Sequence, residues 1–169
     1  LHPTPAVLGT PLAAARTWLE ECGERRDGLY TGVVGWIDGR GVSGIDGNIA
    51  TACGIAAALG PSVAVVGDLA FLHDLGALAL GRHCPLTVVL LDNGGGGIFE
   101  HLPQAALPEF EQGWLTPQDI DPAQAVGAFG LGYTRADSVT AAIEAILSAL
   151  ASPYLRLVHI PIERAYSLA

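Results

Sequence analysis

Apolar positions along the chain fall into two kinds of run. Short unbroken runs, "SVAVVG" at 62–67, "PLTVVLL" at 85–91 and "YLRLVHIPI" at 154–162, have the length and composition of strands buried on both faces. "GLYTGVVGWI" at 28–37 reads as a glycine-rich strand and "GYTRA" as a shorter one. Between them the spacing turns helical. Thr10-Pro11 supplies an N-cap and a first-turn proline to a helix with Leu12, Ala15, Leu19 and Cys22 on one face. Asp46 is placed to cap "GNIATACGIAAAL", which stops at Gly60-Pro61. "HDLGALALGR" at 73–82 and "DPAQAVGAFG" read as further helices, separated by an irregular Pro-rich stretch at 102–117. Asp137 or Ser138 caps "VTAAIEAILSAL", where Ile143, Ile146, Leu147 and Leu150 share a face. Buried strands alternating with helices predict an α/β fold, an open parallel sheet with helices on both faces.

Composition narrows the function classes. At 169 residues, 50% apolar and 15% charged, the chain has the make-up of one globular domain. Its apolar runs are broken well before the ~20 residues of a membrane span, and no basic leader opens it, which predicts a cytoplasmic protein. Leu1 stands where a Met would begin a whole product, as expected of a trimmed one. All eight basic residues are Arg, the net charge is −9, and no basic stripe forms, which argues against nucleic acid as a partner. Cys22, Cys53 and Cys84 are far apart in sequence and flanked by apolar residues, so they read as buried thiols in a reducing compartment. The five His residues have no ligand spacing. That leaves a hard cation held by oxygen as the metal chemistry open to this chain.

Candidate chemistry concentrates in "VVGDLAFLHDLGALALGRHCPLTVVLLDNGGGGIF". Ligands of open parallel sheets bind beyond the carboxyl ends of the strands, and Asp68 and Asn93 both fall there. A carboxylate oxygen, an amide oxygen and a carbonyl from the glycines at 94–97 are a donor set suited to Mg²⁺. His73-Asp74, opening the following helix, would add backbone N–H groups for an anion. Gly-Asp and glycine runs are also ordinary turn chemistry, so these residues alone leave both readings open.

The wider frame is more specific: strand, Gly67-Asp68-Leu69, helix, strand, then Asn93 25 positions after Asp68, followed by glycines. It resembles the diphosphate-binding motif of thiamine diphosphate enzymes. With "RGVSGIDGNIATACGIAAALG", "HDLGALAL" and "NGGGGIF", the chain from Arg40 onward is similar to the SEPHCHC synthase family, which joins 2-oxoglutarate to isochorismate in menaquinone synthesis. The resemblance implies that Asp68, Asn93 and the Gly95 carbonyl hold Mg²⁺ (or Mn²⁺) against the diphosphate, within a cofactor site that includes Gly67 and Leu69. It places Ser43 near thiamine diphosphate, Ile45 as the prop for its bent conformation, Arg40 at a substrate carboxylate, and Ile98 and Phe99 in the apolar wall. It also implies a homodimer or higher oligomer. Leu69 stands where the general thiamine diphosphate motif has Gly, and this Gly-Asp-Leu form narrows the likeness to the synthase family; Ala70 stands for a common Ser of that family, and Asp92 for the first Asn of a terminal pair. Asp92 adds a negative charge beside an anionic cofactor.

The family's pyrimidine-binding part, whose glutamate activates the cofactor, has no counterpart in this sequence, so no catalytic residue is assigned. Residues 1–39, with "HPTPA" and "GLYTGVVGW", resemble a fragment of isochorismate synthase instead. The expected organisation is therefore that fragment, docked as a first helix and strand, followed by a diphosphate-binding domain at 40–169. Two rivals remain at this stage: a non-catalytic remnant that folds without turning anything over, and a flavodoxin-like nucleotide module.

Overall fold

The computed structural model describes residues 17, 21, 35–37, 43–45, 48–101 and 103–163. Backbone alone is described at 35–37, 43–45, 98, 101 and 104. The chain divides into two units, Leu1–Gly32 and Val33–Ala169. In the first, Thr17 and Glu21 are helical and exposed, within the predicted opening helix. The predicted strand at 28–34, the junction at 39–41 with Arg40, Asp46 and Cys22 lie outside the described residues.

The second unit opens with two short strands, β1 (Gly35–Ile37) and β2 (Ser43–Ile45), paired antiparallel with Trp36 opposite Gly44. Helix α1 (Ile49–Leu59) follows. Its N-cap is Asn48, whose Oδ1 accepts the Thr51 N–H at 3.0 Å, in place of the predicted Asp46. Gly60, at φ 100°, ends it as expected of a C-terminal glycine. Strands β3 (Ser62–Gly67), β4 (Leu86–Asp92), β5 (Gly132–Arg135) and β6 (Arg156–Pro161) form a parallel sheet in the order β3-β4-β6-β5.

Between β3 and β4 the helix starts earlier than its sequence pattern suggests. Helix α2 (Asp68–His73) begins directly at the end of β3, with Gly67 as its N-cap, and a 3-10 helix at Leu75–His83 completes the crossover. His73 closes α2 instead of opening a helix, and Asp74 Oδ2 accepts the Ala50 N–H at 2.9 Å, tying α2 to α1. The dipeptide His73-Asp74 thus stands at the start of that 3-10 helix, with the Asp74 carboxylate turned to the Ala50 N–H.

After β4 the chain crosses to α3 (Pro122–Ala128), capped by Asp121, whose Oδ1 accepts the Ala123 N–H at 2.8 Å. Helix α4 (Val139–Leu150) is capped by Ser138 and lies between β5 and β6 in the chain. The sheet is covered on both faces. On one, Phe71, Leu78, Leu86, Val88, Leu90 and Leu157 pack with Ile49 of α1; on the other, Val158 packs with Ala142 and Ala149 of α4. Burying each large side chain contributes about 1.5–3 kcal/mol. Helix α4 meets the sheet through Ala142, Ala149 and Ile146 of the predicted face, whereas Ile143 and Leu147 of that face are outward, 54% and 64% exposed, against the sequence expectation. Cys53 and Cys84, distant in sequence, are both buried and close enough to interact, and the Cys84 thiol donates to the Leu80 carbonyl at 3.6 Å. Burial first, and then Cys84, pushes the Cys53 thiol far above the usual thiol range.

Candidate functional site

The parallel register of β3 and β4 pairs Gly67 with Leu91, so Asp68, just after β3, and Asp92-Asn93, the last residue of β4 and the one after it, emerge side by side at the carboxyl edge. Asp68 sits at the first turn of α2, where its Oδ1 accepts the Leu69 N–H at 2.8 Å. Its Oδ2 accepts the Gly95 N–H at 2.5 Å, joining the end of β3 to the loop after β4.

That loop depends on glycine. Gly94 and Gly95 have φ of 78° and 128°, a region other residues seldom adopt, and a Cβ on Gly95 would overlap the Leu115 carbonyl. The Gly96 N–H donates to that same carbonyl at 2.7 Å, so a one-turn π-helix at Glu111–Leu115 clamps the loop from outside. The Gly95 carbonyl accepts the Gly97 N–H at 2.9 Å with one lone pair, which leaves the other. Asn93 Nδ2 lies 2.8 Å from where a Cβ on Gly97 would stand, so its amide packs against bare backbone.

Asp92 carries a second line of hydrogen bonds. Its Oδ1 accepts the Gly94 N–H at 3.0 Å, and its Oδ2 lies 2.8 Å from Nε2 of His159, a buried residue of β6. His159 Nδ1 in turn lies 2.8 Å from the Tyr133 hydroxyl on β5. Burial lifts the Tyr133 phenol above its ordinary range, so it keeps its proton. With the Tyr133 O–H donating to Nδ1 and Nε2–H donating to Asp92, all three side chains are hydrogen-bonded. Asp92 also comes within hydrogen-bond reach of Asp68. Burial foremost, and the Asp92 carboxylate beside it, hold the Asp68 carboxyl above its ordinary 3.8, against the lowering effect of the Gly95 and Leu69 N–H groups.

Two carboxylates sharing an edge, an amide oxygen one residue on and a carbonyl with a free lone pair form an oxygen-rich donor set. This set fits a hard divalent cation, whose charge would offset both the burial and the neighbouring carboxylate that raise Asp68. A cavity of about 20 Å³, lined by Asp68, Phe71, Leu90 and Asp92 among others, has room for a water beside the pair. Among the described residues no group of three or more His, Cys, Asp or Glu side chains converges as a soft-ligand site would.

Of the residues singled out from sequence, Gly67, Asp68, Leu69, Asn93 and Gly95 come together at this edge. Phe99 is half-buried, its ring lying over Gly96, and Ile98 belongs to the same 3-10 helix, Gly97–His101. Ser43 and Ile45 are at the two ends of β2, and Arg40 lies outside the described residues. Sequence reasoning missed His159 and Tyr133. The available signal was a histidine in the middle of the apolar run "YLRLVHIPI".

Comparison with known proteins agrees with this geometry. Residues 30–160 match the family profile described as thiamine pyrophosphate enzyme, C-terminal TPP binding domain, and residues 1–52 match one described as chorismate binding enzyme. The chain is 54% identical over 99 residues (59% of this chain, 18% of the relative) to the 2-succinyl-5-enolpyruvyl-6-hydroxy-3-cyclohexene-1-carboxylate synthase of Dechloromonas aromatica. It is 43% identical over 139 residues (78% and 24%) to the synthase of that name from Thermobifida fusca, and 42% over 142 (82% and 24%) to that from Chlorobium luteolum. It therefore spans about a fifth of the length of these curated relatives. Among solved structures, benzoylformate decarboxylase from Polynucleobacter necessarius superposes with a TM-score of 0.53 at 20% identity, covering 60% of this chain and 19% of that one. The thiamine diphosphate-dependent 4-hydroxybenzoylformate decarboxylase of Rhodococcus jostii RHA1 gives 0.51 at 21%, covering 60% and 19%. At such identities the likeness is one of fold.

Proposed function

Because the chain belongs to the thiamine pyrophosphate enzyme family through its C-terminal TPP binding domain, we propose that it is the diphosphate-holding part of a menaquinone-pathway synthase. That enzyme would decarboxylate 2-oxoglutarate and add the succinyl unit to isochorismate. The relatives at 42–54% identity support the substrate assignment. The observation that carries the reading is the hydrogen bond from the Gly95 N–H to Asp68. It unites the ends of two adjacent parallel strands into one oxygen-lined cradle, with Asn93 in the same loop.

Asp68, the Asn93 amide and the Gly95 carbonyl would hold Mg²⁺ or Mn²⁺ against the diphosphate, with Gly67 and Leu69 flanking it. Thiamine diphosphate, when bound, supplies the thiazolium that stabilises negative charge on the carbon losing CO₂. The chain's own residues bind and orient. Asp68 and Asn93 offer oxygen ligands, the glycine loop lets backbone approach closely, and Phe99, with Ile98, Ile45 and Ser43, lines the cofactor's surroundings. Arg40 would meet a substrate carboxylate through its guanidinium. Residues 1–39 are the isochorismate-synthase-like fragment and 40–169 the diphosphate domain. The setting is cytoplasmic, in a homodimer or larger assembly. A partner supplying the pyrimidine-binding part would be needed for turnover.

Calorimetry tests this. Thiamine diphosphate should bind only with Mg²⁺ or Mn²⁺ present, and Asp68→Ala should weaken it by about 100-fold or more. Undiminished binding by that variant, or in excess chelator, overturns the cradle. A folded chain that ignores thiamine diphosphate favours a second reading, a non-catalytic remnant, which the limited span of the relatives' length supports.

A further inference from the structure

The sheet has a second end. At the amino edge of β5 and β6, Gly132 pairs with Arg156, and an open cavity of about 540 Å³ lies there, opposite the Asp68 edge. Two guanidiniums line it, those of Arg82 and Arg156. Each rests on bare backbone. A Cβ on Gly130 would overlap the Arg82 guanidinium, and one on Gly132 would overlap that of Arg156. Gly130 also has φ of 65°, so both its conformation and its missing side chain are used. The two glycines flank Leu131 and are at most ~7 Å apart along the chain, which brings both cations to one wall.

The charges there are not matched. Arg82 Nε donates to the Phe129 carbonyl at 3.3 Å, a neutral partner. Arg156 Nε is buried without a hydrogen-bond partner, and neither guanidinium pairs with a carboxylate among the described residues. In a chain of net charge −9 with eight cationic side chains, two Arg residues that line one cavity without a carboxylate partner among the described residues mark where an anion is attracted and not repelled. Ser152 and Tyr154 on the rim bring hydroxyls and an aromatic ring to the same space. Guanidinium forks match the paired oxygens of phosphate and carboxylate, and a buried unpartnered N–H gains most from such a ligand.

We propose that Arg82 and Arg156 form an oxyanion site at the amino edge of the sheet, separate from the cofactor edge, that binds the phosphate or carboxylate group of a small metabolite. Because it shares no residue with Asp68, Asn93 or Gly95, it stands whether or not thiamine diphosphate binds.

The test is nuclear magnetic resonance of the full chain titrated with inorganic phosphate, and separately with acetate, at constant ionic strength. The Arg Nε–H signals and the Gly130 and Gly132 amides report the site. A saturable shift of these signals is expected, weakened at least about tenfold in Arg82→Gln and Arg156→Gln and unchanged in Asp68→Ala. Arg156→Lys, which keeps the charge but loses the fork, should also bind more weakly and serves if Arg156→Gln does not fold. Tighter binding of phosphate than of acetate identifies a phosphorylated ligand; the reverse identifies a carboxylate. Linear, non-saturating shifts, equal shifts in the Arg variants, or shifts confined to the Gly94 and Gly95 amides overturn the proposal.

Discussion

His159 Nε2 stands 2.8 Å from Asp92 Oδ2, although the two residues are 67 positions apart in the chain. The contact bears on the least expected feature of the site. Asp92 occupies a position where the family pattern has an amide, and it sets a second carboxylate beside Asp68. His159 binds one oxygen of that carboxylate and the Gly94 N–H binds the other, so Asp92 is held by both oxygens and the glycine loop is fixed with it.

Removing the histidine should therefore cost stability and loosen the loop. His159→Leu leaves a half-buried carboxylate without its donor and the Tyr133 hydroxyl without its acceptor. An expected loss of about 2–3 kcal/mol follows. His159→Gln, which keeps an N–H donor, should recover part of it. Urea denaturation of the three proteins checks the order; equal stability of Leu and Gln variants would show that packing alone matters there.

Stability should also depend on pH through Asp68. Its carboxyl is held above 3.8, so the folded chain binds that proton more tightly than the unfolded chain does. The associated stability is present below 3.8 and is lost as pH rises through the folded value. Asp68→Asn removes the ionisation, and thermal melts from about pH 3.5 to about pH 7 should show this component missing. At neutral pH relief of the half-buried charge is opposed by the Asn amide nitrogen, which must face the Leu69 or Gly95 N–H where a carboxylate oxygen accepted, so the readout is the missing pH dependence and not the absolute stability.

The glycine loop makes a sharper demand. Gly95→Ala places a methyl where the Leu115 carbonyl lies, on a residue at φ 128°. A cost of about 2–4 kcal/mol is expected, together with loss of the bond to Asp68. Gly113→Ala, at a position with open space around it, is the control and should be close to neutral.

The thiols should be silent in the native state. Cys53 and Cys84 are each 2% exposed with raised pKa values, so a thiol reagent should modify them only as fast as the chain opens. Mass spectrometry that resolves each cysteine reads this directly, and rapid labelling of either in native buffer would contradict the packing.

How much of this was readable beforehand follows from range. The buried strands at Ser62–Gly67 and Leu86–Asp92 declare themselves because a strand covered on both faces needs an unbroken apolar run. Asp68 and Asn93 follow from those strand ends. The start of α2 was missed because Gly67 ends the strand and caps the helix at once, leaving no loop to signal the change. The predicted face of α4, Ile143, Ile146, Leu147 and Leu150, divides: Ile146 packs with Ala142 and Ala149, while Ile143 and Leu147 stay exposed because close approach to the sheet favours the small side chains beside them. The Asp92–His159–Tyr133 line joins three strands distant in sequence, and no local pattern encodes it.

That line also works as a gauge of alignment. Parallel apolar strands such as β4 and β6 pack nearly as well when displaced, since Val, Leu and Ile substitute for one another along them. A displacement of two residues keeps every side chain on its face and so escapes the penalty that a single-residue slip incurs. It does not escape here. Shifting β6 by two would carry His159 away from both Asp92 and Tyr133, leaving a buried imidazole and the Tyr133 hydroxyl unmatched and Asp92 with the Gly94 N–H alone of these partners. The histidine thus acts as an index mark: it lets interchangeable strands count their position, and so holds β4, β6 and β5 in one alignment.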